Sequence, residues 1–451
     1  MQPALQSFPN ILMIVADDHR HDCLHGDRIK GPATPALDRL AESGTKFTGA
    51  RIMGGDSQAV CVPSRAALLT GCGSRRALAT PYSDDFLERQ CIRPDRELLG
   101  EVLRDAGYRT HVVGKWHNDP ASLNRSFASG DALLMRGMSA HENPPLHSYD
   151  QNGNYAESAA VETPGFSTEL FANAAIDFIQ RTSKKAEPFF LYCAFTSPHD
   201  PCTPPKEFRA RYADEKIELP ANFLPQHPFD NGELNVRDEL LEAHPRERSA
   251  VQRRLADYYG MVEHHDHHLG RMIAALENTG QLENTIIVYV SDHGLALGSH
   301  GLMGKQNLYE HSVRVPLIMS GPGITAGQVI SDDVYSFRLF STLCEMSGVM
   351  VPPTVEEPSL VSLLQHEVKA AEAPRYHFAH YYDFQRTVKD ERWKLIRYDV
   401  AETTREQLFD LENDPNELTD LINEPSAQKH RSLLNAALEE WSGSYAKPNL
   451  T

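Results

Sequence analysis

Asn10-Ile-Leu-Met-Ile-Val-Ala16 is followed at once by Asp17-Asp18. Six consecutive apolar residues without polar alternation predict a short strand covered on both faces. Three further runs share the design: Arg109–Gly114 (RTHVVG), Phe189–Phe195 (FFLYCAF) and Thr285–Val290 (TIIVYV). Helical patterns separate them. Pro35–Ser43 starts with a proline and stops at Gly44. Asp95 is read as the cap of a helix that runs to about Ala106, ahead of Gly107. Phe166–Ser183 and Ser249–Asn278 are longer, the second with Ser249 as its cap and Gly280 as its stop. Strands alternating with helices predict an α/β fold, a large mostly parallel sheet flanked by helices.

The residues just past each strand carry the chemistry. Asp17-Asp18 come after the first, Lys115 and His117 after the second, His199 after the third and Asp292-His293 after the fourth. Ligands of open α/β sheets bind beyond the carboxyl ends of the strands. One aspartate after a strand is ordinarily a turn residue, but four strands that all deliver titratable groups to one edge predict a site.

Gly348–Pro358 reads as a surface connection, and the pattern changes beyond it. Arg375–Tyr382, Gln385–Val388, Trp393–Tyr398 and Gln407–Asp410 read as an antiparallel sheet, with Ala427–Trp441 as a closing helix. The expected division is a catalytic α/β domain over 1–355 and a smaller C-terminal α+β subdomain over 356–451. The Pro-rich stretch Thr203–Pro245 is expected to form long loops near the substrate entrance.

The 451 residues hold 44 Lys+Arg against 62 Asp+Glu, a net charge of −18, with 41% hydrophobic residues. That excess argues against nucleic acid and anionic membranes as partners, and no run is long enough to span a bilayer. The first residues, MQPALQSFPN, lack a basic and an apolar region, so a cytoplasmic location is expected, or a periplasmic or secreted one if a leader has been removed. Oligomeric state is not readable. Seven irregularly spaced cysteines predict reduced thiols rather than a disulfide framework. Cys61 stands apart. With Pro63 suited to a first helical turn, it sits where unpaired backbone N–H groups favour an anion and lower a thiol's pKa.

Cys61-Val62-Pro63-Ser64-Arg65, continuing AALLTG to Gly71, resembles the C-x-P-S-R-x-x-x-L-T-G signature of the type I, formylglycine-dependent sulfatases. The resemblance extends over nearly the whole chain, through GKWH (Gly114–His117), SPH (Ser197–His199), SDHG (Ser291–Gly294), HGLMGK (His300–Lys305) and WKLIRY (Trp393–Tyr398). It implies an alkaline-phosphatase-like fold and a sulfuric ester hydrolase. It also implies oxidation of Cys61 to formylglycine by a formylglycine-generating enzyme. By the same resemblance Asp17, Asp18, Asp292, His293 and the modified Cys61 hold a divalent metal. Three carboxylates suit Ca²⁺, while His293, where the family often has Asn, admits Mn²⁺. Arg65 would hold the formylglycine oxygen, Lys115 and Lys305 the sulfate, with His117 as base and His199 as acid in a two-step covalent transfer. Lys115, His199 and Lys305 are thus also expected to bind substrate, and His19 and His21, just after the aspartate pair, to line its pocket.

His264-His265-Asp266-His267-His268 resembles a metal cluster but lacks the Glu of H-E-x-x-H, and reads as a partly exposed helix. The expected substrate is a small or terminal sulfated sugar. The alternatives are a phosphonate monoester or phosphodiester hydrolase of the same superfamily and an inactive protein that binds sulfated glycans.

Overall fold

The computed structural model describes residues 8–25, 30–79, 91–365 and 375–445; residues 1–7, on which the leader reading rests, lie outside these. The opening run is strand β1 (Asn10–Asp17), buried along its whole length. In chain order β2 (Gly44–Arg51), β3 (Arg109–Lys115), β4 (Ser129–Leu134), β5 (Phe189–Pro198), β6 (Thr285–Ser291), β7 (Leu317–Ser320) and β8 (Gln328–Tyr335) join it. They form one eight-stranded sheet in the order β8-β2-β7-β6-β1-β5-β3-β4. Every pairing is parallel except those of β7. The four strands legible as apolar runs are therefore the contiguous centre, β6-β1-β5-β3.

Alternation along β1 builds both layers. Ile11, Met13 and Val15 enter the core on one face, Leu12, Ile14 and Ala16 the core on the other. The second face is covered by the helices Pro35–Glu42, Ser167–Thr182 and Arg248–Asn278, through Leu37, Phe171, Leu269 and Met272 among others. Complete burial of one such Leu or Ile is worth roughly 1.5–3 kcal/mol, so an uninterrupted apolar strand between two layers is strongly held.

Two caps differ from expectation. The helix after Asp95 spans only Leu99–Asp105, with Glu101 accepting from the Leu98 N–H at 3.4 Å. Asp95 instead takes a bidentate ion pair from Arg93, a partner two residues away that holds it in the preceding turn. The long helix begins at Arg248, after Glu247 in extended backbone, so Ser249 lies inside it and caps nothing.

Strands β9 (His377–Tyr381), β10 (Gln385–Lys389), β11 (Trp393–Val400) and β12 (Thr403–Asp410) form an antiparallel meander. Its β9 edge pairs with the two-residue strand Gly54–Gly55, so residues from both sides of position 355 share this sheet. The helix Gln428–Tyr445 packs Leu434 and Leu438 against Val388, Leu395 and Leu408. Buried charges join the two sheets. Arg51 of β2 is bidentate to Glu310 at 2.7 Å, and Lys394 of β11 reaches Glu310 and Glu417, both at 2.8 Å. Removing one member would leave the others buried and unpaired, which is costly. No described helix is long and apolar enough to cross a membrane.

Candidate active site

Because β6, β1, β5 and β3 are neighbours, their carboxyl ends bring Asp292-His293, Asp17-Asp18, His199, and Lys115 with His117 to one sheet edge. Asp18 (φ 67°) and His117 (φ 56°) are both in the left-handed region. That conformation costs a non-glycine residue about 1 kcal/mol or more and recurs where a site dictates the backbone. It turns the chain sharply just past each strand.

The Cys61–Thr70 helix starts in the middle of this edge, with Cys61 only 1% exposed. Cys61 Sγ lies 3.1 Å from His117 Nδ1 and 3.7 Å from Lys115 Nζ. One turn on, fully buried Arg65 donates through Nε to Asp292 Oδ2 at 2.8 Å. Ser64 Oγ donates to the Asp292 carbonyl at 2.5 Å. The Ser-Arg pair of the motif thus holds Asp292 by backbone and side chain at once. For Ser64 the motif was the only signal in the sequence.

Lys115 Nζ is 2.5 Å from Asp17 Oδ2, and Lys305 Nζ donates to both Asp18 oxygens at 3.0 and 3.1 Å. The loop carrying Lys305 is braced by Glu239, which accepts from the Met303 and Gly304 N–H groups at 2.9 and 2.8 Å. Glu239 belongs to the Thr203–Pro245 stretch, which is irregular apart from short helical turns. His199 donates from Nδ1 to the Asp200 carbonyl at 2.8 Å, leaving Nε2 3.7 Å from Asp18 Oδ2. His141, which sequence reasoning missed, hydrogen-bonds the His199 carbonyl at 3.0 Å.

Burial alone would raise the Cys61 thiol, but His117, Lys115 and Lys305 overcome it and hold the group well below the ordinary thiol range. Asp17 and Asp18 are likewise held low against burial, the first by Lys115 and His199, the second by His293 and Lys305. Asp292 goes the other way, pushed up to about 6 by burial and the Asp17 charge. His293 is raised to about 10, against burial, by Asp18 and Asp292. Burial lowers both His117 and His199.

The donor set fits a divalent cation. Ligand atoms of Asp17, Cys61, Asp292 and His293 lie within 4.8 Å of one another, as do those of Asp17, Asp18 and His199. Among the described residues Asp17 Oδ1 is buried without a hydrogen-bond partner, its ion-pair contact being Arg65 Nη2 at 3.8 Å, a state that buried polar atoms seldom keep. The proton-hungry Asp292 and His293 point the same way, to more converging negative charge than Arg65, Lys115 and Lys305 neutralise. Carboxylate oxygens with one imidazole suit a hard or borderline ion.

One expectation, that His19 lines the substrate pocket, is corrected. His19 is fully buried with Nδ1 2.6 Å from Tyr289 Oη and Nε2 3.1 Å from the Cys23 carbonyl, and His21 lies among Asp22, Arg314 and Arg20. The histidine cluster lies on a partly exposed helix, as expected: His267 is exposed while His264, His265, Asp266 and His268 are buried, and Asp266 accepts from the Ala36 and Leu37 N–H groups at 3.0 and 2.8 Å. It caps the Pro35–Glu42 helix from a neighbouring element.

Comparison with known proteins agrees with this arrangement. The sulfatase family model matches residues 9–349, and that of the N-sulphoglucosamine sulphohydrolase C-terminal region matches 298–443. An arylsulfatase of Clostridium perfringens (strain 13 / Type A) is 29% identical over 455 residues, 92% of this chain and 90% of that protein. An N-acetylglucosamine-6-O-sulfatase of Bacteroides thetaiotaomicron is 26% identical over 512 residues, 97% and 87% of the two chains. Among solved structures, a protein in complex with its substrate D-glucosamine-2-N,6-O-disulfate superposes with a TM-score of 0.79 at 23% identity, covering 98% and 99% of the chains. A phosphonate monoester hydrolase of Agrobacterium radiobacter gives 0.76 at 21%, covering 98% and 97%. The fold is alkaline-phosphatase-like, and with three-quarters of its length under one family model the chain belongs to the sulfatase family of enzymes.

Proposed function

We propose that the enzyme removes O-sulfate from a sulfated carbohydrate, using a formylglycine derived from Cys61 and a divalent cation held by Asp17, Asp18, Asp292 and His293. The observation that carries this reading is the place of Cys61, buried at a helix start with His117 Nδ1 at 3.1 Å and the carboxylate cluster around it. The carbohydrate preference is supported by the relative named for N-acetylglucosamine 6-sulfate and by the neighbour bound to a glucosamine disulfate. Ca²⁺ is the proposed ion, with Mn²⁺ its competitor because of the His293 nitrogen.

Hydrated formylglycine supplies an oxygen nucleophile, and the cation supplies charge that favours its ionised form and screens the ester oxygens. The chain's own residues do the rest. Lys115 and Lys305 set two buried positive charges where the sulfate's negative oxygens converge, an arrangement that gains strength away from water. Arg65 keeps Asp292 in place. His117 Nδ1 is within reach of a proton on residue 61. Nδ1–H of His199 is committed to the Asp200 carbonyl, so the proton for the leaving alcohol would be carried on Nε2 of the imidazolium form, 3.7 Å from Asp18 Oδ2.

Mass spectrometry of the Cys61 peptide from the native host, paired with turnover of sulfate monoesters, phosphonate monoesters and phosphodiesters, tests the reading. The expected result is an aldehyde at residue 61 and a sulfate preference. Fully unmodified thiol in active enzyme, or a preference for the phosphorus esters, would overturn it. Cys61→Ala should lower turnover by ~10⁴-fold or more, as loss of a nucleophile does elsewhere.

A further inference from the structure

His199 meets residue 200 twice. Its Nδ1 lies 2.8 Å from the Asp200 carbonyl and 3.2 Å from the carboxylate oxygen Oδ1 of the same residue. That carboxylate is only 8% exposed, and its second oxygen accepts from Arg237 Nη2. Arg237 belongs to the same irregular stretch as Glu239, and its side chain is 49% exposed. It is nevertheless fixed at both ends of its guanidinium. Nη1 donates to Asp238 Oδ1 at 2.8 Å, and Asp238 Oδ2 accepts from Gln306 Nε2 at 2.8 Å. On the backbone side, His141 hydrogen-bonds the His199 carbonyl at 3.0 Å. Residue 199 is thus held by its main chain from one element and by its ring from another.

An imidazole just past a strand end can rotate about two side-chain bonds. An oxygen on Nδ1 fixes its orientation and leaves Nε2 as the working nitrogen, as a carboxylate does in hydrolytic triads. Here the carbonyl and the carboxylate come from one residue, so whatever holds Asp200 holds both. Arg237 does so with charge, because a nearly buried carboxylate keeps its place best against a guanidinium that is itself anchored.

We infer that Asp200, pinned by Arg237, is a positioning residue that keeps Nε2 of His199 directed at the oxygen of the departing alcohol. This role rests on the reading of His199 as the acid, and adds to it the pair that aims the acid. In the step concerned the S–O bond breaks, its electron pair passes to the alcohol oxygen, and that oxygen takes the proton from Nε2.

The test compares kcat/KM for 4-nitrophenyl sulfate, phenyl sulfate and N-acetylglucosamine 6-sulfate in wild type, Arg237→Ala and Asp200→Asn. A weakly basic leaving group departs with little help from an acid, whereas a sugar alkoxide needs much. In Arg237→Ala the fall should therefore be graded, less than about threefold for the nitrophenyl ester, about 10-fold for the phenyl ester and about 30- to 100-fold for the sugar ester, within what a general acid supplies. Asp200→Asn keeps an oxygen that can face Nδ1 and should show the same order with smaller falls. A fall of equal size for all three esters would make the pair a support of the whole site and overturn the inference. Unchanged rates in Arg237→Ala would do the same. If Arg237→Ala does not fold, Asp200→Asn is judged by the same graded order. Wild-type enzyme that hydrolyses none of the three esters would instead sink the functional reading beneath it.

Discussion

Gly137 has no side chain, and the space a Cβ would need is taken by the His117 ring: an added carbon would stand 2.4 Å from both Cε1 and Nε2. Gly137→Ala must therefore tilt the imidazole whose other nitrogen touches residue 61. A displacement of about 1 Å at a reacting group can cost ~100-fold, so kcat should fall roughly 10- to 100-fold while the thermal midpoint stays near that of wild type. A variant with normal kcat would show that the ring has room to shift without consequence. Gly137 was not legible in the sequence, since its importance lies wholly in what stands opposite. The residues at the strand ends were legible, because an apolar run gives both the strand and the direction in which its end points. His19, whose ring is spent on Tyr289 and the Cys23 carbonyl, was misread for the complementary reason. Adjacency to Asp18 says nothing about direction once Asp18 adopts a positive φ.

Among the elements, the longer strands sealed on both faces declared themselves, whereas β7, equally sealed, is only four residues long and did not. β1, β3, β5 and β6 are apolar runs because each lies between two helical layers. β2 (GTKFTGAR), β4 (SGDALL) and β8 (QVISDDVY) carry glycines, charges and partly exposed positions, so no such run announced them. The Pro35–Glu42 helix was legible, but its cap was not: Thr34 makes no side-chain cap, and Asp266, distant in sequence, supplies it. That carboxyl is pushed up from its ordinary 3.8 to about 6, mainly by burial. Between these values the folded chain holds a proton that the unfolded chain has released, so this group makes stability fall as pH rises from about 4 to about 6. At ~1.4 kcal/mol per pKa unit the effect is bounded near about 3 kcal/mol. Asp266→Asn cannot ionise. Relative to wild type it should therefore gain stability between about pH 4 and pH 7, by up to about 3 kcal/mol in urea unfolding, from a lower starting point because one cap acceptor is replaced by a donor. Parallel stability profiles for the two proteins would show that Asp266 does not titrate in that window.

For the molecule as a whole, a net charge of −18 surrounds a site that takes an anion. The cations that could receive it offer no long-range lure: Arg65 and Lys115 are fully buried, Lys305 is 4% exposed, and each stands beside an aspartate. Attraction begins only when the sulfate has entered, while the outer field acts on everything that approaches. That field reaches ~30 Å at ~0.01 M salt and ~8 Å at ~0.15 M. A polysulfated oligosaccharide is repelled along its length and gains from screening, whereas a monosulfated sugar has one charge to repel and ends in a pocket that salt hardly reaches. Over that range of ionic strength, kcat/KM for the oligosaccharide should rise several-fold, by roughly 3- to 10-fold, and that for the monosulfated sugar by less than about twofold. A fall for the oligosaccharide would reveal a basic track on the surface that the overall charge conceals, and would move the preferred substrate from a terminal sugar to the chain itself.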